Sequence, residues 1–473
     1  MIDYANPTDP RLNLPKKNGI ARNLGQAPAS KLSRRQLLKL MGSIVATPMF
    51  LTACTLTSVS SPQASSEPTP TAEQTELIFW GHDQHPLDLA AEGFVQKNPQ
   101  IHWVSPHPAE IYRKIQTAMA AGTGCPDLFW AEALEAQTWG CQDLLTDLSD
   151  RLKPALEQYH PLKINESLIA KTNKYVGWPG DLGVSGWYYR QDKLQEAGYG
   201  NIDFDNYTWQ DFCEMAAALK AKGLYAFAFP AGGWNPLFMF VLHQLGGTAV
   251  SQDGQSITVG DDKGIRAMQI IKQLWDAGGL DVDIWSIPYW SALKEGKLLG
   301  DFAAAWARGF WETQLGQGGE ASGIEQWRIA KFPTGAGIKY RTGVWVSSQL
   351  VSLRCGKNVT DAVNFMQYAL GSLEGATRCG KWGIIPAYRP YLAAKDFLDL
   401  RSPLFGEWAF DEFWAGQEQE LSTEYYRPAG WGAVNDVINT EMVSILKDEE
   451  NVEDGMKRIV DIATPDFERS KCS

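Results

Sequence analysis

Short apolar runs of strand length alternate with amphipathic stretches of helix length in this 473-residue chain, starting at Leu77. Leu77-Ile78-Phe79-Trp80 reads as a strand, and Leu87 to Lys97 as a helix stopped by Asn98-Pro99. Ile101-His102-Trp103-Val104 predicts a second strand, Ile111 to Ala121 the next helix, and Asp127-Leu128-Phe129-Trp130 a third strand. This alternation predicts an α/β fold with parallel sheets carrying helices on both faces. Folds of that kind place ligands at the carboxyl ends of their strands. Trp80 and Trp130 close the first and third predicted strands, so indole rings are expected along that edge.

The segment before this pattern has a different character. Ser33-Arg34-Arg35-Gln36-Leu37-Leu38-Lys39 resembles the twin-arginine export motif, with Leu37 where Phe is commoner. The apolar run Leu40 to Ala53 follows, 14 residues long. That is short of the roughly 18–20 needed to span a bilayer, so it reads as the core of a signal peptide. It ends in Leu51-Thr52-Ala53-Cys54, which resembles a bacterial lipobox and implies cleavage before Cys54 with lipidation of its sulfur. Residues 1–53 are therefore expected to be a leader, and 54–75, rich in Ser, Thr and Pro, a flexible tether. The two signals together imply export, in the folded state, to a lipid anchor at the outer face of a bacterial cytoplasmic membrane. That site is periplasmic where an outer membrane is present.

Residues 1–53 hold eight basic and two acidic side chains; the rest of the chain sets 35 Lys and Arg against 53 Asp and Glu, a net charge near −18. Such a surface repels nucleic acid and anionic lipid, so neither is an expected partner. The 420 residues from Cys54 onward exceed what one core accommodates, which predicts two lobes. Further cysteines stand at 125, 141, 213, 355, 379 and 472, without CxxC or Cys/His metal spacing, so no metal is expected. An oxidising compartment permits disulfides. Spacing alone does not fix their pairing.

A series of segments then runs in a recognisable order across nearly all of residues 76–465. Gly122-Thr123-Gly124-Cys125-Pro126-Asp127-Leu128 comes first, then Gly140-Cys141-Gln142-Asp143-Leu144-Leu145-Thr146-Asp147-Leu148. Trp178-Pro179-Gly180-Asp181 with Gly186-Trp187-Tyr188-Tyr189-Arg190 follows, Arg190 standing where Asn is usual. Leu194 to Gly198, Thr208-Trp209-Gln210-Asp211-Phe212, Gly309-Phe310-Trp311, Gly343-Val344-Trp345-Val346 and Ile384-Ile385-Pro386 complete the series. In this order they resemble the extracellular solute-binding proteins of carbohydrate ABC importers, the maltose-binding-protein-like family. The resemblance implies two α/β lobes joined by hinge crossings, with a ligand caught in the cleft between them. It places lobe one at 76–183 with 303–368 and lobe two at 184–302 with 369–473. It implies a monomer that delivers its ligand to a membrane permease and carries out no catalysis, with no cofactor.

The aromatic content points to a sugar as that ligand. The chain has 19 Trp, equal to its Phe and more than its 16 Tyr. Flat indoles cover the C–H face of a pyranose, while carboxylates, amides and guanidinium groups satisfy its hydroxyls. The resemblance carries ligand positions onto Trp80, His82 and Asp83, Trp130 and Glu132, Asp181, Trp234 and Asn235, Arg308 and Trp311, Trp345, and Trp431. His82 is the weakest of these, and Trp209 and Trp275 read as helix packing. Three other readings stay open. Asp83, Glu132 and Asp181 could serve a secreted glycan-active enzyme, which needs paired carboxylates. Tyr425-Tyr426 is similar to the tyrosine pair of ferric-ion receptors. A binding protein for another polar organic solute would present the same residue types.

Overall fold

The computed structural model describes residues 74–316, 323–425 and 427–472. The expected leader and all but the end of the expected tether lie outside these residues. The chain first builds one sheet. β1 (Thr75–Gly81) leads to α1 (His85–Lys97), β2 (Ile101–Val104), α2 (Ile111–Ala121), β3 (Leu128–Glu132), α3 (Ala133–Cys141), α4 (Pro161–Ser167) and β4 (Gly177–Pro179). It then crosses into a second sheet through β5 (Ser185–Arg190). There follow α5 (Trp209–Lys220), α6 (Asn235–Gln244), α7 (Asp262–Ala277), α8 (Ile287–Lys294), β6 (Gly300–Ala304), α9 (Ala307–Leu315) and β7 (Trp327–Ala330). The return brings β8 (Ser348–Ser352), α10 (Val359–Gly371) and α11 (Leu373–Gly380), and a last crossing leads to α12 (Phe410–Gln417), α13 (Trp431–Leu446) and α14 (Val452–Ser470).

The first sheet has strand order β2-β1-β3-β8-β4 and the second β6-β5-β7. β1 runs parallel to β2 and β3, as the alternation predicts, but β8 is antiparallel to both neighbours and the second sheet is wholly antiparallel. The cause for β8 is the crossing: a strand returning from the other lobe enters the sheet at the end where β3 and β4 leave it, and so runs against both. Sheet membership also departs from the expected boundaries. β7 pairs with β5, so residues 327–330 belong with the second sheet and not with lobe one. α10 and α11, split by the expected boundary at 368, both pack on α1 of the first lobe. Gly309-Phe310-Trp311, inside the 303–368 stretch expected in lobe one, lies in α9, and the chain returns only after β7.

Local chemistry explains several motif residues. Asp127 is buried and accepts hydrogen bonds from the backbone N–H groups of Ile78 (2.9 Å), Lys357 (2.8 Å) and Asn358 (2.7 Å). One carboxylate thereby fastens β1 to the loop after β8. Thr208 and Asp211 form a reciprocal capping box that starts α5. Gly180 opens the first crossing because a Cβ there would lie 2.4 Å from the Trp130 ring and 2.7 Å from the Ser348 carbonyl oxygen. The crossings are then laced by backbone bonds: Leu182 N to Ile385 O (2.9 Å), Ala387 N to Gly180 O (2.6 Å) and Trp345 N to Gly183 O (2.9 Å). Disulfides join Cys125 to Cys355 and Cys141 to Cys472, while Cys213 and Cys379 are free thiols. Among the described residues no helix is long and apolar enough to cross a membrane.

Candidate functional site

The carboxyl ends of β1 and β3 lie side by side, with Gly81 paired to Trp130. Glycine is required at 81: a Cβ would lie 2.9 Å from both the Phe79 ring and the Trp130 Cβ. Just beyond, Asp83 accepts a hydrogen bond from Trp382 Nε1 at 2.9 Å and is paired with His85 Nδ1 at 2.8 Å. The His85 ring stacks on Trp382 at 4.0 Å, and the hydrogen bond to Asp83 raises the imidazole above its ordinary value.

From Trp382 an unbroken series of rings leads into the second lobe. Phe310 sits edge-on to Trp382 at 5.6 Å and 5.8 Å from Trp285. Trp306 lies 5.9 Å from Trp285 and 5.0 Å from Trp345, and Trp234 meets Trp345 edge-on at 5.5 Å. Trp285, Trp306, Phe310 and Trp382 are half-buried, so each keeps part of its ring accessible. Trp306 stands two residues beyond β6 and is held by its Nε1 donating to the Trp345 carbonyl at 3.0 Å. Trp285 occupies the left-handed region at φ +69°, an unfavourable conformation for a bulky residue and one that concentrates at ligand clamps.

The arc continues on the other side of Trp234. Asn235 Nδ2 donates to Asn435 Oδ1 at 2.7 Å, which ties α6 to α13, the helix that begins with Trp431. The Arg427 guanidinium lies over the Trp431 ring at 5.8 Å. Across from it α3 starts after Glu132, and Leu134 packs on Gly432. Burial, reinforced by the Glu132 carboxylate, pushes Glu135 up to about 8. The indole N–H groups of Trp80, Trp285 and Trp431 and the Glu135 Oε2 are occluded without a hydrogen-bond partner among the described residues. Buried polar atoms are normally paired. Flat rings with unpaired donors and a carboxyl acceptor can take a ring-shaped ligand bearing hydroxyls, each of which both donates and accepts.

Of the expected site residues, Asp83, Trp234, Asn235, Trp345 and Trp431 lie on this arc, and Trp80 and Glu132 stand at the carboxyl ends of β1 and β3. Trp130 is buried beneath it, wedged between Gly81 and Gly180. His82 is half-buried and faces Tyr112 Oη at 3.4 Å. Three expectations are corrected. Trp311 is 0% exposed, packed on Tyr188, Trp290 and Trp327 in the core, because helix phase turns it inward where Phe310 points out. Arg308 is committed to Glu312 (2.9 Å) and to the carbonyls of Gly380 and Lys381 (both 3.0 Å), an anchor for the last crossing. Asp181 is buried and accepts from the backbone N–H of Gly183 and Ile385 at 3.2 and 3.1 Å, stapling two crossings together. Sequence reasoning missed Trp285, Trp306, Phe310 and Trp382. The signal for Trp306 was its place two residues beyond an apolar strand. Tyr425 is buried edge-on against His243, and Tyr426 lies outside the described residues. Among the described residues no group of three or more His, Cys, Asp or Glu could hold a metal ion.

The profile of bacterial extracellular solute-binding proteins matches residues 95–398. The chain belongs to that family. An arabinooligosaccharide-binding protein of Halalkalibacterium halodurans is 26% identical over 211 residues, covering 42% of this chain and 46% of that protein. A lactose-binding protein of Rhizobium radiobacter is 31% identical over 160 residues, covering 31% of this chain and 36% of that protein. The chain thus spans under half the length of these curated relatives. Among solved structures, the galacto-N-biose/lacto-N-biose I-binding protein of a Bifidobacterium longum ABC transporter, in complex with lacto-N-biose, aligns with a TM-score of 0.69 at 18% identity. It covers 84% of this chain and 98% of its own. An ABC-transporter-associated binding protein of B. animalis subsp. lactis in complex with β-1,6-galactobiose aligns with a TM-score of 0.68 at 19% identity, covering 84% and 98%. These likenesses show the two-lobe binding-protein fold.

The buried carboxyl groups of this solute-binding protein set its pH dependence. Burial pushes Asp181 and Asp301 up to about 7, and Asp411 and Glu135 up to about 8. A carboxyl raised in the folded state binds its proton more tightly there, so stability falls as pH rises from about 4 through 7 or 8. Burial lowers His160 to about 4 and His243 to about 3, an opposite effect that starts below about 6.5. Four carboxyls outweigh two imidazoles. The ligand-free protein is expected to gain a few kcal/mol between pH 8 and pH 5, read as a rising thermal midpoint. A midpoint that falls steadily over that range contradicts this assignment.

Proposed function

We propose that this chain captures a sugar, a di- or oligosaccharide or a glycoside, between its lobes and delivers it to an ABC importer permease. The observation that carries this reading is the arc of rings from Trp382 to Trp234, of which Trp382, Phe310, Trp285 and Trp306 are half-buried, together with the indole N–H groups of Trp80, Trp285 and Trp431 that have no partner among the described residues. The names of the relatives support it, since arabinooligosaccharide and lactose are ligands of hydroxyl-bearing rings. Lobe closure adds ligand contacts that an open form lacks, which is how the ligand selects the closed state. The reading includes export and a lipid on Cys54, which keep the protein beside its permease. The committed bonds of Asp181 leave it unsuited to a paired-carboxylate hydrolase.

The test is a thermal-shift and calorimetry panel of lactose, arabinooligosaccharides, lacto-N-biose, β-1,6-galactobiose, amino acids and ferric ion. A ligand at about 100 times its Kd adds roughly 2.7 kcal/mol to stability. Trp306→Ala is expected to weaken binding about 30-fold, equivalent to roughly 2 kcal/mol of lost ring contact. Trp311→Phe is expected to lower the midpoint and leave Kd nearly unchanged. A response to amino acids or iron and to no glycan overturns the substrate class.

A further inference from the structure

The two disulfides do different work. Cys125 precedes β3 and Cys355 follows β8, and these strands pair, so that bond lies inside the first lobe. Cys141 closes α3, which packs on β3, β8 and α4 of the first lobe. Its partner Cys472 stands two residues beyond α14, which packs on α13 and on α7 of the second lobe. The Cys472 side chain itself joins the small core around Ile111, Ile115, Phe129 and Trp139 in the first lobe. The chain already passes between lobes at three crossings, and this bond, between residues 331 apart in sequence, is a further covalent link.

Weaker contacts share this face. Arg427 Nε donates to Glu166 Oε1 at 3.1 Å, Asn165 Nδ2 donates to the Thr423 carbonyl at 3.4 Å, and Leu134 lies against Gly432. All three join α3 or α4 to α13 or to the segment that leads into it. When the lobes part, the Asn165 and Leu134 contacts can break and re-form. The disulfide cannot: its Cα atoms, 5.6 Å apart, must stay within about 4.4–6.8 Å.

We propose that Cys141–Cys472 is a strap between the lobes: it forces opening to turn about an axis close to the bond and removes the widest open states. The proposal rests on the two-lobe fold and not on the identity of the ligand. Its consequence for binding is that a larger fraction of the free protein stands near the closed form, which improves the apparent affinity by that factor.

The experiment uses the full chain without ligand, purified under oxidising conditions. Non-reducing peptide mapping is expected to recover Cys141 linked to Cys472. Small-angle scattering then compares the wild type with Cys472→Ser and with a chain ending at Lys471, each checked for native circular dichroism. Both are expected to show a radius of gyration larger by on the order of 1 Å, against about 21 Å for a compact body of roughly 400 residues. A Cys125→Ser/Cys355→Ser double variant is expected to match the wild type in size. The strap is overturned if mapping finds either cysteine free or paired elsewhere, or if removing it leaves the radius unchanged. Neither outcome depends on sugar binding, so failure here and failure of the sugar reading are told apart.

Discussion

Glu166→Ala is expected to destabilise the folded protein by about 3–5 kcal/mol, the range for removing one partner of a buried ion pair. Glu166 is fully buried in α4. Its Oε1 accepts from Arg427 Nε at 3.1 Å, and its Oε2 accepts from Lys163 Nζ and Ser347 Oγ, each at 2.7 Å. Burial alone pushes this carboxyl up, but Lys163 and Arg427 more than offset that and hold it below its usual value. Alanine leaves two buried cations without their counter-charge, and neither has another carboxylate within ion-pair distance among the described residues. Glu166→Gln keeps the volume and some hydrogen bonds, so its loss is expected to be smaller. Chemical denaturation at neutral pH measures both. An alanine variant within about 1 kcal/mol of wild type, the usual worth of an exposed pair, rules out this account of the network.

The same residues show what a sequence can and cannot disclose. β2 and α2 fall at Ile101–Val104 and Ile111–Ala121, where periodicity alone put them, because a half-buried strand or helix stamps its period on adjacent residues. Asp127 and the Thr208–Asp211 cap were visible as motifs, but only the cap acts within a few residues; the partners of Asp127 at Ile78, Lys357 and Asn358 are distant in sequence and left no local sign. Trp306 and Trp311 were not separable in that way. They are five residues apart and both aromatic, and only the start of α9 at Ala307 decides which faces the core. Trp285 left no periodic trace, since it stands in a loop at positive φ. Lys163 and Glu166 are an i,i+3 pair on α4, but Ser347 and Arg427 come from two distant stretches, and nothing local marks either as a partner of that pair. The lobe boundaries failed for the same reason: strand pairing across a crossing is a relation between distant segments.

Loss of the Cys125–Cys355 disulfide is expected to cost about 2–5 kcal/mol, the usual range for a native bridge. The bond closes a loop of 230 residues in sequence, so the chain-entropy model puts it near the top of that range. Two facts moderate the figure. The bond spans strands that already pair, from Leu128 opposite Ser352 to Glu132 opposite Ser348, and Asp127 separately fastens the same loop through Lys357 and Asn358. The folded lobe is therefore expected to survive without the bond but to melt earlier. A Cys125→Ala/Cys355→Ala double variant avoids leaving one buried thiol, and its thermal midpoint is the measurement. Reductant is expected to lower the wild-type midpoint at least as far as the double variant, since it also opens Cys141–Cys472. It should still lower the variant further, by the share that belongs to the second bridge. A double variant that melts with the wild type would mean that the pairing of β3 with β8 already supplies what the bond was expected to add.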